Sequence, residues 1–121
     1  MVRSFVLLAI ALLLAPAAFA AGDAAAGKKT YDTLCFTCHG AAGKGDGPAG
    51  AALTPPPRDF SAGDFKFDAN KNGKVGEDED LKLVIKNGAG AYGGNPSMAP
   101  WGHLSDKDLD DLVAFVRSLK Q

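Results

Sequence analysis

Both cysteines of the chain and one of its two histidines fall in the stretch Cys35-Phe36-Thr37-Cys38-His39. Two thiols three residues apart can each add to one vinyl group of a haem. An imidazole directly after the second can then rise beneath the ring as the proximal iron ligand. Two other chemistries use similar residues. A dithiol redox pair wants to open a helix after a strand, whereas this pair ends a helical pattern and no strand pattern precedes it. A zinc site built from Cys35, Cys38, His39 and His103 would bend adjacent Cys38 and His39 onto one ion, unlike ordinary zinc spacings. The pattern points to covalent haem.

An iron held by one histidine needs a sixth ligand or keeps an open site. Beyond Met1, Met98 is the only methionine, and it stands in a loop of prolines and small residues, Pro96-Ser97-Met98-Ala99-Pro100-Trp101. That is a poor place for core filler and a good one for a thioether aimed at iron. His/Met ligation raises the reduction potential and suits electron transfer. His103, just before the last helical pattern, is the rival ligand, and an open site is the third reading.

These residues need a frame. Arg3, the apolar run Val6–Leu14 and Ala18-Phe19-Ala20 form a secretory signal pattern, so residues 1–20 are expected to be removed and 21–121 to be one domain. The apolar run is too short for a stable bilayer span. Without Arg3 the chain carries 12 basic against 14 acidic residues, a net charge of −2. That balance excludes a nucleic-acid footprint or a membrane-adsorbing surface. A domain this small buries only about two thirds of its unfolded surface, so a large apolar prosthetic group would form much of its core.

Asp23 is a good N-cap for an alanine-rich helix over Ala24–Leu34, which would deliver the Cys-His stretch at its C-terminal end, with Gly40 as the stop. Gly27 inside it makes sense if another helix crosses closely there. A second helix is expected from Glu77 or Asp78 to about Asn87, with Leu81, Val84 and Ile85 on one face and acidic residues in its first turn. Ser105, with Asp108 three residues on, opens a third whose apolar stripe is Leu109, Leu112, Val113, Val116 and Leu119. Between them, residues 40–59 and 88–100 are glycine- and proline-rich loops, unusually long for so short a domain. They are tolerable if they wrap a rigid apolar disc. The expectation is an all-α fold of three or more helices and long loops around one covalent haem.

In this order of motifs the chain resembles the class I cytochrome c family, of the small bacterial monohaem kind. The resemblance rests on the helix leading into Cys35–His39, Gly43-Lys44-Gly45-Asp46-Gly47-Pro48, Pro57-Arg58-Asp59-Phe60, and Met98-Ala99-Pro100-Trp101 before the last helix. It implies thioether links at Cys35 and Cys38, axial ligation by His39 and Met98, and a close crossing of the N- and C-terminal helices. It also implies that a proline carbonyl, matched here by Pro48, accepts the proton of the proximal histidine. Arg58 and Trp101 are expected in the haem environment.

Residues 68–79 also fit a calcium-loop pattern, with Asp68, Asn70 and Asn72 as side-chain ligands, the Lys74 carbonyl and Glu79 at the twelfth position. The entering helix is poor, no second loop is present and only Asp68 and Glu79 bring charge. Ca2+ here would be a structural clasp; the other reading is a turn-rich connector.

The functional expectation is a monomeric, exported electron carrier, periplasmic in a bacterium, that docks transiently with redox proteins. No acid–base or nucleophile constellation suggests an enzyme. The alternatives are a haem c subunit of a larger respiratory oxidoreductase and a haem-based ligand sensor.

Overall fold

The computed structural model describes residues 22–121; the secretory segment expected over residues 1–20 lies outside them. The described residues form four α-helices and no strand: α1 (Ala24–Leu34), α2 (Phe36–His39), α3 (Asp78–Asn87) and α4 (Asp106–Ser118). Short 3₁₀ turns at Gly50–Ala52, Phe60–Ala62 and Ala89–Tyr92 punctuate the loops. No described helix is long and apolar enough to cross a membrane.

Local chemistry sets the helix ends. Asp23 caps α1 by accepting from the N–H groups of Ala25 (2.9 Å) and Ala26 (3.3 Å). At the other end Cys35 still bonds its N–H to the Tyr31 carbonyl (2.8 Å) while the chain breaks into the single turn of α2. Gly40 stops that turn at φ 79°, where a side chain would be strained. Ser105 and Asp108 close a reciprocal capping box on α4, each side chain accepting from the other's N–H at 3.1 Å.

The core is the crossing of α1 on α4. A Cβ on Gly27 would overlap the Asp111 carbonyl, so only glycine lets the two backbones meet there. Tyr31 is fully buried, edge-on to Phe115 with ring centroids 4.9 Å apart, and Leu109 and Leu112 are 1% exposed. The Tyr31 hydroxyl donates to the Gly40 carbonyl (2.6 Å), tying this core to the end of α2. Asp111 accepts from the Asp23 N–H (2.8 Å) and from Lys107 (2.6 Å), pinning the start of α1 to α4. Helix α3 packs on α4 through Leu81, with ion pairs Lys82–Asp110 (2.9 Å) and Arg117–Asp78 (2.5 Å) on the outside.

Candidate functional site

Beside this crossing lies a cavity of about 470 Å³, within the size range of cofactor sites. Cys35, Cys38 and His39 line it from the α1–α2 corner, and Met98 from the loop before α4. Apolar walls come from Leu81, Val84 and Ile85 of α3, Leu112 and Val116 of α4, and Pro55–Pro57 of the first long loop. The four residues whose types suggested haem chemistry therefore share one apolar chamber, although 59 positions separate His39 from Met98.

His39 is 9% exposed and its ring stacks on Phe60, with centroids 4.6 Å apart and planes 17° from parallel. Its Nδ1 faces the Arg58 carbonyl at 3.4 Å, a long contact. A carbonyl can only accept, so Nδ1 carries the proton and Nε2 keeps the lone pair a metal needs. Burial holds the imidazole below its usual pKa, partly offset by that carbonyl, which again favours the neutral ligating form. The carbonyl partner differs from the expected one. Pro48 is exposed and outside the cavity, because Gly47 N–H bonds back to the Cys38 carbonyl (3.1 Å) and turns that stretch along the outside of α2. The chain then returns through Pro55–Pro57 and brings Arg58 under the ring.

The thiols are half-buried and unbridged. Burial, and then the neighbouring Cys38, push the Cys35 thiol up to about 11. A redox dithiol needs the opposite, a thiolate stabilised near neutral pH.

Met98 is half-buried, and its loop is fastened by Asn95. That residue accepts from the Ser97 N–H at Oδ1 (2.9 Å) and from the Met98 N–H at its carbonyl (3.1 Å). Its amide donates to the Pro55 carbonyl (3.0 Å), 40 positions away. Trp101 lines the cavity, and its backbone N–H donates to the Ile85 carbonyl (3.0 Å). His103 is exposed, outside the cavity and edge-on to Trp101 (5.9 Å). Arg58 also lines the cavity, but its guanidinium pairs with the Asp64 carboxylate (2.9 Å) and donates to the Asp64 carbonyl.

Residues 68–79 form a tight loop closed by its own polar groups. Asp68 accepts from the N–H groups of Asn72 (3.0 Å) and Gly73 (2.8 Å), and Asn72 Oδ1 from Lys74 N–H (2.9 Å). The Asn72 amide donates to Glu77 (2.5 Å), while Glu79 is exposed on the first turn of α3. Asp80, 1% exposed, takes the N–H groups of Asn70 (3.1 Å) and Glu77 (2.9 Å). Among the described residues no group of three or more His, Cys, Asp or Glu is gathered to hold a metal ion.

A neutral imidazole, a thioether and two thiols on one apolar chamber are the donor set a covalently attached haem requires. The family model for cytochrome c matches residues 24–120. The chain belongs to the cytochrome c family. A cytochrome c-554(547) from Halothiobacillus neapolitanus is 38% identical to this cytochrome over 103 residues, covering 83% of this chain and all of the relative. Among solved structures, a chain of the reducing HAO-like protein complex of Kuenenia stuttgartiensis superposes with a TM-score of 0.68 at 31% identity. That match covers 83% of this chain and 44% of the neighbour's, so this cytochrome spans under half of that protein. The chain is thus a small bacterial c-type cytochrome of the class I kind, all-α, whose family implies covalent haem c and electron transport.

Proposed function

We propose that this cytochrome is an exported, monomeric carrier of single electrons, with one haem held by Cys35 and Cys38 and ligated by His39 and Met98. The observation that carries the reading is the convergence of Met98 on the chamber lined by the Cys-His stretch. Bound there, the haem iron supplies a reversible one-electron couple in which no covalent bond is made or broken. The chain's own part is positional. The Arg58 carbonyl and the Phe60 ring hold the His39 ring, Asn95 fastens the Met98 loop, and the apolar walls of α3 and α4 exclude water. Export rests on the signal pattern in residues 1–20, and the periplasm is the matching compartment. A methionine on the chamber wall weighs against an open-site ligand sensor.

Met98→Ala tests the assignment. The expected result is loss of the sulfur-to-iron absorption band of the oxidised protein. The potential should fall by a sizeable part of the about 0.8 V that axial ligation spans. An unchanged spectrum and potential sink the ligand assignment.

One observation favours a second reading. The structural neighbour is one chain of a protein complex and more than twice as long as the matched region. The same fold can therefore serve as a haem-bearing part of a larger oxidoreductase. Size exclusion of the protein from its native source separates the two, since a free carrier elutes near its own mass.

A further inference from the structure

Three residues on the chamber wall carry formal charge: Arg58, Lys66 and Asp80. They are placed very differently. The Arg58 and Lys66 side chains are 40% and 70% exposed, and both lie against Asp64, at 2.9 and 3.7 Å. Solvent and that shared carboxylate damp their fields. Asp80 is 1% exposed. The ion pairs of the described residues engage Asp32, Asp64, Asp78, Asp110 and Asp111, never Asp80. Its two oxygens each accept one backbone N–H, from Asn70 (3.1 Å) and Glu77 (2.9 Å). An ionised carboxylate only accepts, so this geometry suits the charged form.

The helix start does not account for such a residue. Asp80 is the third position of α3 and closes the capping box with Glu77, but a neutral glutamine serves that box as well. A buried charge with hydrogen bonds and no counterion lowers stability relative to a neutral acceptor. The wall that holds it is otherwise apolar on this side, with Phe65, Phe67, Leu81 and Val84. Little water is left there to weaken its field.

We propose that Asp80 sets the reduction potential of this cytochrome: its fixed negative charge on the chamber wall favours the oxidised state. The inference rests on the electron-carrier reading and adds the residue that decides which donors and acceptors fit it. In the couple, ferric iron takes up one electron and becomes ferrous; no bond is made or broken and no proton moves. The ferric form carries one more positive charge, so a fixed negative charge beside it stabilises that form more. A unit charge about 10 Å from another, at an effective dielectric of about 20, shifts an equilibrium roughly tenfold. The donors that fit are then stronger reductants than His39 and Met98 ligation alone would require.

Two pairs of variants matched in shape isolate the charge: wild type against Asp80→Asn, and Asp80→Glu against Asp80→Gln. Each haem-loaded protein is titrated near neutral pH in an optical electrochemical cell, at ionic strengths of about 10 mM and about 500 mM. At the potential where the charged member is half reduced, the neutral member should show a reduced-to-oxidised ratio about tenfold higher. That is a shift of about 59 mV for one electron. The gap should persist at high salt, because a buried charge is screened little. Asp106→Asn, which removes an exposed charge from α4, should move the ratio less than about twofold. Asp80→Glu should melt below wild type, since its extra methylene enters a packed wall, yet hold the wild-type ratio within about threefold.

A gap of less than about threefold within either pair, with the sulfur-to-iron band retained in both members, overturns the inference. So does a gap that closes at high salt, which would assign the effect to surface charge. A shift in Asp80→Glu as large as that in Asp80→Asn overturns it too, by assigning the effect to shape. A wild-type protein that lacks the band overturns the electron-carrier reading, and the inference with it.

Discussion

The α1–α4 crossing and the walls of the haem chamber are built in opposite ways. At the crossing, chain meets chain. Gly27 lies on the Asp111 carbonyl, Tyr31 meets Phe115, and Leu109 is closed off from water. In the walls, two loops line the chamber, one with Leu53, Pro55–Pro57 and Phe60 and the other with Ala89, Met98 and Trp101. They are tied by single bonds, such as Phe60 N–H to the Gly43 carbonyl (2.7 Å) and Asn95 to Pro55. Leu112 and Val116 belong to both regions, since they sit in the core cluster and also line the chamber. Dependence should therefore run one way. The walls and the crossing both need the haem, whereas haem attachment and tuning do not need the crossing to be perfect.

The largest effect should come from removing the attachment. Without the disc, the apolar walls of α3 and α4 that line the chamber lose their packing partner, in a small domain whose whole stability is only about 5–15 kcal/mol. The double variant Cys35→Ala/Cys38→Ala should thus lose covalent haem and most of its far-UV helical signal, α1 and α4 included. A double variant that kept native helicity would show that the crossing stands alone, and would break the one-way dependence.

The reverse test is Gly27→Ala. The new methyl overlaps backbone and not a movable side chain, so the helices must separate, at a cost of about 2 kcal/mol. For a domain of this size that lowers Tm by roughly 10 °C. The optical spectrum and reduction potential should stay at wild-type values. A shifted potential would mean that strain at Gly27 reaches the iron ligands.

A smaller effect at the same crossing depends on pH. The Asp23 N–H, and secondarily Lys107, hold the Asp111 carboxyl below the usual carboxylate range. A depressed folded pKa contributes stability that is complete above the unfolded value of about 3.9 and is lost as pH falls through the folded value. Asp111→Asn keeps an acceptor for Asp23 but removes the charge, so it should cost about 1 kcal/mol at pH 7. That gap should close at the acid end, as pH falls through the folded value. Thermal melts at both pH values check it; a gap independent of pH would assign the effect to shape and not to ionisation.

The two regions were also unequally legible in the sequence. The crossing announced itself through Asp23, Ser105, the α4 stripe and the otherwise unexplained Gly27, all of them side-chain patterns with a fixed period or offset. The chamber's donor set was legible for a different reason. Cys35, Cys38, His39 and Met98 are chemically rare, so their positions carry information without any knowledge of the loop path. What the sequence hid was done by backbone. The Arg58 carbonyl faces His39 where Pro48 was expected, and a carbonyl leaves no trace in residue type. Phe60 was visible only as the end of the Pro57-Arg58-Asp59-Phe60 stretch, because its stack on His39 depends on how Pro55–Pro57 return. Asp80 was visible as one of several acids favouring a helix N-terminus. Its burial, and its grip on Asn70, follow from α3 turning that side inward.

The smallest expected effect concerns the loop between the two regions. Residues 68–79 carry a calcium pattern, and a bound cation would make this connector a second metal-dependent element beside the haem walls. The contacts favour the connector reading. Glu79, the residue the pattern needs for two of its oxygens, is exposed on α3, and Glu77, outside the pattern, meets Asn72 instead. Asp68 is then the one charged residue at a ligand position of the pattern whose oxygens turn into the loop, and both already accept backbone N–H groups. Sites of this ligand class gain affinity chiefly from carboxylate count. Titration of the haem-loaded protein with calcium up to about 1 mM, the weak end of such sites, should give no binding heat and no change in Tm. Measurable heat that vanishes in Glu79→Gln would restore the calcium clasp, because only a reoriented Glu79 could supply the missing charge.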